Sequence, residues 1–231
     1  MSDDLTQLPG VGDKTAEKLE ESGYGSLEAI GASSAAELQE AADIGEKTAQ
    51  SAISAAHDEL DHGYSTGKEK LEEREEVIRI STGSDEFDDL MGGGIESQSI
   101  TEVYGEYGSG KTQVALQLAV NVQQGEDGRQ AIFIDTEDTF VPERVQEIAE
   151  AQGMDPDEVL DNIFVARAFN SDHQILLGEK AQEIAEENDI GLIVVDSLTG
   201  EFRSDYVGRG QLAERQQKLN KHMKHLKKLS N

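Results

Sequence analysis

The chain has 231 residues, with 48 Asp and Glu against 20 Lys and Arg, a formal net charge of −28 and no Cys. That length accommodates one medium domain and a small one, and the missing Cys excludes disulfides, thiolate metal sites and a Cys nucleophile. No apolar run is long enough to span a bilayer and the polar N-terminus lacks a signal-peptide core, so the expectation is a cytoplasmic protein without a membrane partner.

So negative a chain repels nucleic-acid phosphate in dilute salt. It also has the acidic composition expected of a protein from a salt-rich cytoplasm. At about 1 M salt the Debye length shrinks to about 3 Å, and distant carboxylates no longer repel one another or DNA.

The first residues hold a repeat: Val11-Gly12-Asp13-Lys14-Thr15-Ala16 returns thirty-three positions later as Ile44-Gly45-Glu46-Lys47-Thr48-Ala49. The pattern reads as a helix-hairpin-helix pair over 1–57, an all-α domain. Gly10 and Gly12 tighten the first hairpin, and the N–H groups opening the next helix can take a DNA phosphate without reading bases. Ala42 and Asp43 replace Pro9 and Gly10 in the second copy, which is therefore the weaker of the two. A helical scaffold making protein contacts would use the same hairpins. Residues 58–76 are polar and then heavily charged, which suits a linker with a short helix.

A composition shift opens the segment 77–231. Val77–Ile80 has strand character and Gly92–Gly94 forms a turn, after which Ser99–Tyr104 reads as the strand entering a glycine-rich loop. That loop, Gly105-Glu106-Tyr107-Gly108-Ser109-Gly110-Lys111-Thr112, fits G-x-x-x-x-G-K-[ST] at every position. Its glycines let successive N–H groups turn inward on an anion, Lys111 reaches the outer phosphates, and the Thr112 hydroxyl suits Mg²⁺. A helix over Gln113–Gln124 would face its N-terminus to those phosphates. The cofactors expected are a nucleoside triphosphate and Mg²⁺.

Strands at Ala131–Asp135, Phe164–Ala168 and Leu192–Asp196 alternate with helices at Pro142–Gln152, Ser171–Glu187 and Gln211–Leu229. Such alternation predicts an α/β fold, a P-loop parallel sheet flanked by helices. Asp196 ends a wholly aliphatic strand, at the edge where open α/β sheets hold ligands, and is assigned to the Mg²⁺ shell. One further carboxylate must orient the attacking water; Asp135, Glu137 and Asp138 all compete for that role.

The last segment, Arg203–Asn231, carries eight basic and two acidic residues in an otherwise acidic chain. A solvated helix face explains most such runs, but here a local basic end suggests a partner. Leu212, Leu219, Met223 and Leu226 trace a buried stripe. His222 and His225 are expected to be solvated rather than metal ligands, because no third ligand is near.

Taken together, these motifs make the chain resemble the archaeal RadA recombinases of the RecA superfamily, of haloarchaeal type. The likeness rests on the hairpin repeat, Gly92-Gly93-Gly94-Ile95-Glu96, Ser99–Glu106, Asp135–Phe140, Pro142-Glu143-Arg144, Ala166–Gln174, Asp196-Ser197-Leu198-Thr199 and Phe202–Gly210. The resemblance implies ATP as the nucleotide, Lys111 and Glu137 as catalytic residues, and Arg144 against the adenine. It implies single-stranded DNA contacts from Arg203, Tyr206 and Arg209, with double-stranded DNA as a further partner. It also implies self-assembly into a filament or ring through an aromatic at Tyr64 and a small residue at Gly67.

The implied activity is a DNA-dependent ATPase that promotes homologous pairing and strand exchange in repair and recombination. Family members continue past a helix equivalent to the last one here, into further core strands. The expectation is therefore one uncovered flank of the sheet, in a fragment or a shortened relative. The alternative function is a nucleotide-binding accessory partner of a full-length recombinase, or a piece without stable function.

Overall fold

A computed structural model describes residues 5–60, 66–125 and 128–230. The chain divides into two compact units, Met1–Glu75 and Glu76–Asn231.

In the first unit, helices α1 (Asp13–Glu21), α2 (Leu27–Gly31), α3 (Ala35–Ala42) and α4 (Glu46–Glu59) enclose a core of Leu5, Leu19, Ile30, Leu38, Ala49, Ala52 and Ala56. Ser26 caps α2, and Ser34 with Glu37 closes a capping box on α3, so each helix start gains about 1 kcal/mol of N–H satisfaction. The starts of α1 and α4 differ. Gly12 and Gly45 stand there in extended conformation and neither supplies a side-chain cap. The repeat seen in the sequence is thus a repeat of geometry. Gly10 turns with φ 80°, and Asp43, its counterpart in the second copy, takes φ 54°. The second hairpin keeps the left-handed turn with a residue that tolerates it, so losing the glycine did not lose the turn. Helix α5 (Gly67–Glu73) starts from a Thr66–Glu69 capping box.

The second unit is a three-layer α/β sandwich, as the alternation predicts. Its parallel sheet has the order β4-β3-β5, with β3 (Gln130–Asp135) between β4 (Ile163–Arg167) and β5 (Ile190–Asp196). Asp135 lies opposite both Arg167 and Asp196, so the three strands end together. Side chains alternate across β3. Ala131 and Phe133 pack with Leu116 and Val120 of α7 (Lys111–Asn121), Val145 and Ile148 of α8 (Pro142–Ala151), and Val159 of α9 (Pro156–Asp161). Ile132 and Ile134 pack on the other face with Leu177 and Ala181 of α10 (Ser171–Glu187) and Leu229 of α12 (Leu212–Leu229). Burying each of the larger side chains, Ile132, Phe133 and Ile134, contributes about 1.5–3 kcal/mol, so β3 anchors both cores.

Several expectations are corrected. Only Arg79–Ile80 of the expected 77–80 strand forms (β1), and it pairs antiparallel with β2 (Ile95–Glu96) in a separate two-stranded sheet. Helix α6 (Asp85–Met91) lies between them, and Gly92, Gly93 and Gly94 all turn at positive φ. Ser99–Tyr104 forms no strand, because it joins no ladder among the described residues, and Ile100, Val103 and Tyr104 are exposed. β propensity expresses packing against neighbouring strands; without a ladder the same residues stay irregular. β5, which among the described residues pairs with β3 alone, is half-buried along its whole length. Helix α7 begins at Lys111, inside the loop motif, and α11 (Gly200–Asp205) was not foreseen.

His222 is not solvated. It is 1% exposed, with its ring 6.0 Å from that of buried Phe202, because it turns inward from α12 while Leu212 points out. Burial, and then the charge of His225, push its pKa down to about 4.

Candidate functional site

Gly108 and Gly110 take φ of 78° and 93°, and the latter caps α7, so the loop reverses into the helix start. At Gly105 a Cβ would stand 2.8 Å from Ser109 Oγ, so the loop closes tightly on itself and a side chain here would push the Ser109 hydroxyl aside. Lys111 Nζ folds back over this curl and donates to the carbonyls of Gly105 (3.0 Å) and Glu106 (2.9 Å). Ser109 N–H donates to the Glu106 carbonyl at 3.2 Å, and the Tyr107 side chain is fully exposed. The loop thus brings a lysine up to the uncapped start of α7, a donor set that fits a polyphosphate.

One residue further on, the Thr112 hydroxyl donates to Asp196 Oδ2 at 2.6 Å, joining the first turn of α7 to the end of β5. A hydroxyl and a carboxylate side by side at the rim of the loop fit a Mg²⁺ that travels with phosphates. Residues 84 apart in sequence meet here because β5 delivers its last residue beside α7.

The three acids after β3 have separate surroundings. Asp135 is buried, and its carboxylate accepts the N–H groups of Glu137 (3.1 Å), Thr139 (2.8 Å) and Phe140 (2.9 Å), which shapes the following loop. Asp138 pairs with Arg167 at 2.8 Å. Glu137 Oε1 accepts the Ser197 hydroxyl at 2.8 Å, one residue beyond Asp196. The Thr136 hydroxyl, in turn, accepts Ser197 N–H (2.8 Å) and donates to the Ser197 carbonyl (3.1 Å). Thr112, Asp196, Ser197 and Glu137 thus form one linked row across the strand ends.

Arg144, in the first turn of α8, donates through Nε to Gln113 Oε1 (2.9 Å) and through Nη1 to Glu147 (2.7 Å). Its guanidinium is therefore tied to the residue after Thr112. Sequence reasoning gave no role to Gln113, which merely adjoins Thr112, or to Ser197, which stands only as part of the Asp196–Thr199 segment.

The row does not include residues 203–209. Arg203 is exposed on α11, which is pinned by buried Phe202, and Arg209 opens a short 3-10 turn before α12. Tyr206 lies under Lys218, whose Nζ is 5.3 Å from the ring centroid. Lys218 also pairs with Asp172 at 2.7 Å, and that carboxylate raises the lysine pKa, with Tyr206 adding to it. Asp205 accepts both the N–H (2.7 Å) and hydroxyl (2.6 Å) of Ser171, fastening the end of α11 to the start of α10. Gly10 and Gly12 lie in the first unit. Gly67 opens α5 with free space where a Cβ would stand, and Tyr64 lies outside the described residues.

The chain is similar to known proteins over nearly its whole length. The Rad51 family model matches residues 73–231, and a SAM-like helix-hairpin-helix tandem matches residues 2–58. The chain belongs to the Rad51 family. Proteins named DNA repair and recombination protein RadA are similar to it almost throughout. The Haloferax volcanii protein is 49% identical over 98% of the chain, and that of Halobacterium salinarum is 48% identical over 99%. The Methanococcus maripaludis protein is 49% identical over the whole chain. In each case the chain spans 76% of the relative's length. Membership in the Rad51 family carries a RecA-like core that binds nucleotide with Mg²⁺, in keeping with the donor set around Lys111 and Thr112. Among the described residues, no helix is long and apolar enough to cross a membrane.

Proposed function

We propose that this chain is a DNA-dependent ATPase that assembles on single-stranded DNA and carries out homologous pairing and strand exchange. The observation that carries this is the contact from Thr112 to Asp196, a loop hydroxyl beside the carboxylate that ends β5, which supports a shared Mg²⁺ site. A relative's role in DNA repair and recombination, at 49% identity over 98% of the chain, supports the same reading.

ATP is the nucleotide. The 105–112 loop would hold its phosphates, and Lys111, now on the Gly105 and Glu106 carbonyls, would supply the cation for the outer ones. Thr112 and Asp196 would hold Mg²⁺, which neutralises phosphate charge when bound. Glu137 takes a proton from the attacking water; of the three acids, Asp135 is engaged with its own loop and Asp138 with Arg167. Arg144 offers a flat cation for the adenine.

Arg203 and Arg209 meet DNA phosphates and Tyr206 offers a stacking face. Residues 1–57, with Gly10 and Gly12 at the first hairpin, add sequence-independent phosphate contacts. Residues 58–76 link the two parts and carry Tyr64 and Gly67 for assembly into a filament or ring.

The test is ATP hydrolysis in molar KCl with Mg²⁺, with and without single-stranded DNA. The wild type should be stimulated by DNA, and Lys111→Ala and Glu137→Gln should each lose turnover while staying folded. Unstimulated wild-type turnover would overturn the recombinase reading, and normal hydrolysis by Glu137→Gln would overturn the choice of base.

A further inference from the structure

We propose that Ser197 is a positioning residue: its hydroxyl sets the Glu137 carboxylate and ties it to the segment proposed to meet DNA. The inference rests on the assignment of Glu137 above and goes beyond it.

The contact at 2.8 Å from Ser197 Oγ to Glu137 Oε1 joins residues 60 apart, and three features make it more than a chance surface bond. The Ser197 backbone is clamped on both polar atoms by the single hydroxyl of Thr136, a buried side chain. With the backbone held, only the side-chain rotor remains to be set.

Gly200 then leaves room for that rotor. A Cβ there would stand 2.6 Å from Ser197 Oγ and 3.5 Å from Glu137 Oε1. The φ of Gly200 is not positive, so no backbone requirement calls for glycine; the requirement is the space next to the hydroxyl.

The third feature is the anchoring of the chain between Ser197 and α11. The Leu198 carbonyl accepts from Gln174 Nε2 at 3.0 Å, and both Gln174 and Phe202 are fully buried. Residues 197–205 are therefore held from Ser197 through to Asp205, which is bound to Ser171. A displacement of α11 as Arg203, Tyr206 and Arg209 take DNA reaches the Ser197 hydroxyl through this stiff segment. A base that must lie within hydrogen-bond reach of its water is sensitive to such a shift, since a misplacement of about 1 Å can cost about a hundredfold in rate.

The test compares wild type, Ser197→Ala, Ser197→Thr, Gly200→Ala and Glu137→Gln as full chains in molar KCl with Mg²⁺ and ATP. The readouts are kcat and KM with and without a single-stranded oligonucleotide, and oligonucleotide Kd by anisotropy. DNA-stimulated kcat should fall about tenfold or more in Ser197→Ala, with KM and DNA affinity unchanged, and Ser197→Thr should retain it. Gly200→Ala should reproduce the loss while folding, because Ala is the better helix former at the start of α11.

Wild-type kcat in Ser197→Ala would overturn the inference, as would a loss that tracks KM or DNA affinity. If Glu137→Gln is inactive and Ser197→Ala is not, only the positioning role fails. If Glu137→Gln is active, or if DNA does not stimulate the wild type, the functional reading fails and this inference falls with it.

Discussion

Thr112 donates its hydroxyl proton to Asp196 at 2.6 Å, from the first turn of the P-loop helix to the last residue of the neighbouring strand. Neither residue signals much alone, since hydrophobic strands often end in Asp and helices often start with Thr. Their contact makes one site of two distant motifs.

Asp196→Asn should therefore separate metal-assisted from metal-free binding. The amide oxygen can still accept from Thr112, so the fold should hold, but the charge proposed to attract Mg²⁺ is gone. Nucleotide affinity with Mg²⁺ should fall about 10- to 100-fold, as expected when a metal's surroundings are altered, and affinity in chelator should change little. Titration of a fluorescent ATP analogue under both conditions measures this directly.

The first hairpin makes a prediction about stability. Gly10 needs φ 80°, and a Cβ there would meet Thr48 Cγ2 at 2.6 Å, so the two copies of the repeat press on each other. Gly10→Ala should destabilise the first unit by about 2 kcal/mol, combining left-handed strain with overpacking. Adding Thr48→Ser removes the methyl and should restore part of that loss. Hydrogen exchange of α1 and α4 amides in the full chain would read both effects.

Much of this was legible in the sequence because it is local or periodic. The continuous apolar run Ala131–Ile134 marks a strand buried on both faces, and the 105–112 loop has a fixed spacing. What stayed hidden depends on partners distant in the chain. Ser99–Tyr104 has the composition of a strand but lacks the ladder that would make it one. His222 sits in a basic, polar run, and only the packing of Phe202 and Gln174 takes it inside. Asp135, Glu137 and Asp138 look alike until Thr139, Ser197 and Arg167 are placed beside them.

The net charge of −28 gives a third prediction. Carboxylates across the surface repel at low salt, where the Debye length is about 10 Å at 0.1 M, and are screened at about 3 Å in 1 M salt. The thermal midpoint should rise steadily with KCl, and cooperative structure should be lost on dialysis to low salt. A far-UV circular dichroism melt that is unchanged from 0.1 to 2 M KCl would refute the repulsion argument.

Finally, His222 makes the second unit sensitive to acid in a defined window. Its folded pKa of about 4 lies below the ordinary value of 6.5, so folding favours the neutral ring. The stability this represents is fully present above pH 6.5 and falls as pH drops through 4, by about 1.4 kcal/mol per unit and about 3 kcal/mol at most. Exposed carboxylates also titrate there, so the informative quantity is a difference. His222→Leu keeps the volume, removes the charge and removes a buried ring nitrogen, Nδ1, that lacks a hydrogen-bond partner. Between pH 6.5 and 4 the wild type should lose stability faster than His222→Leu, and below pH 4 the two curves should run parallel. Urea unfolding in molar KCl at half-unit pH steps would show this, and parallel curves throughout would mean that His222 is already charged in the folded protein.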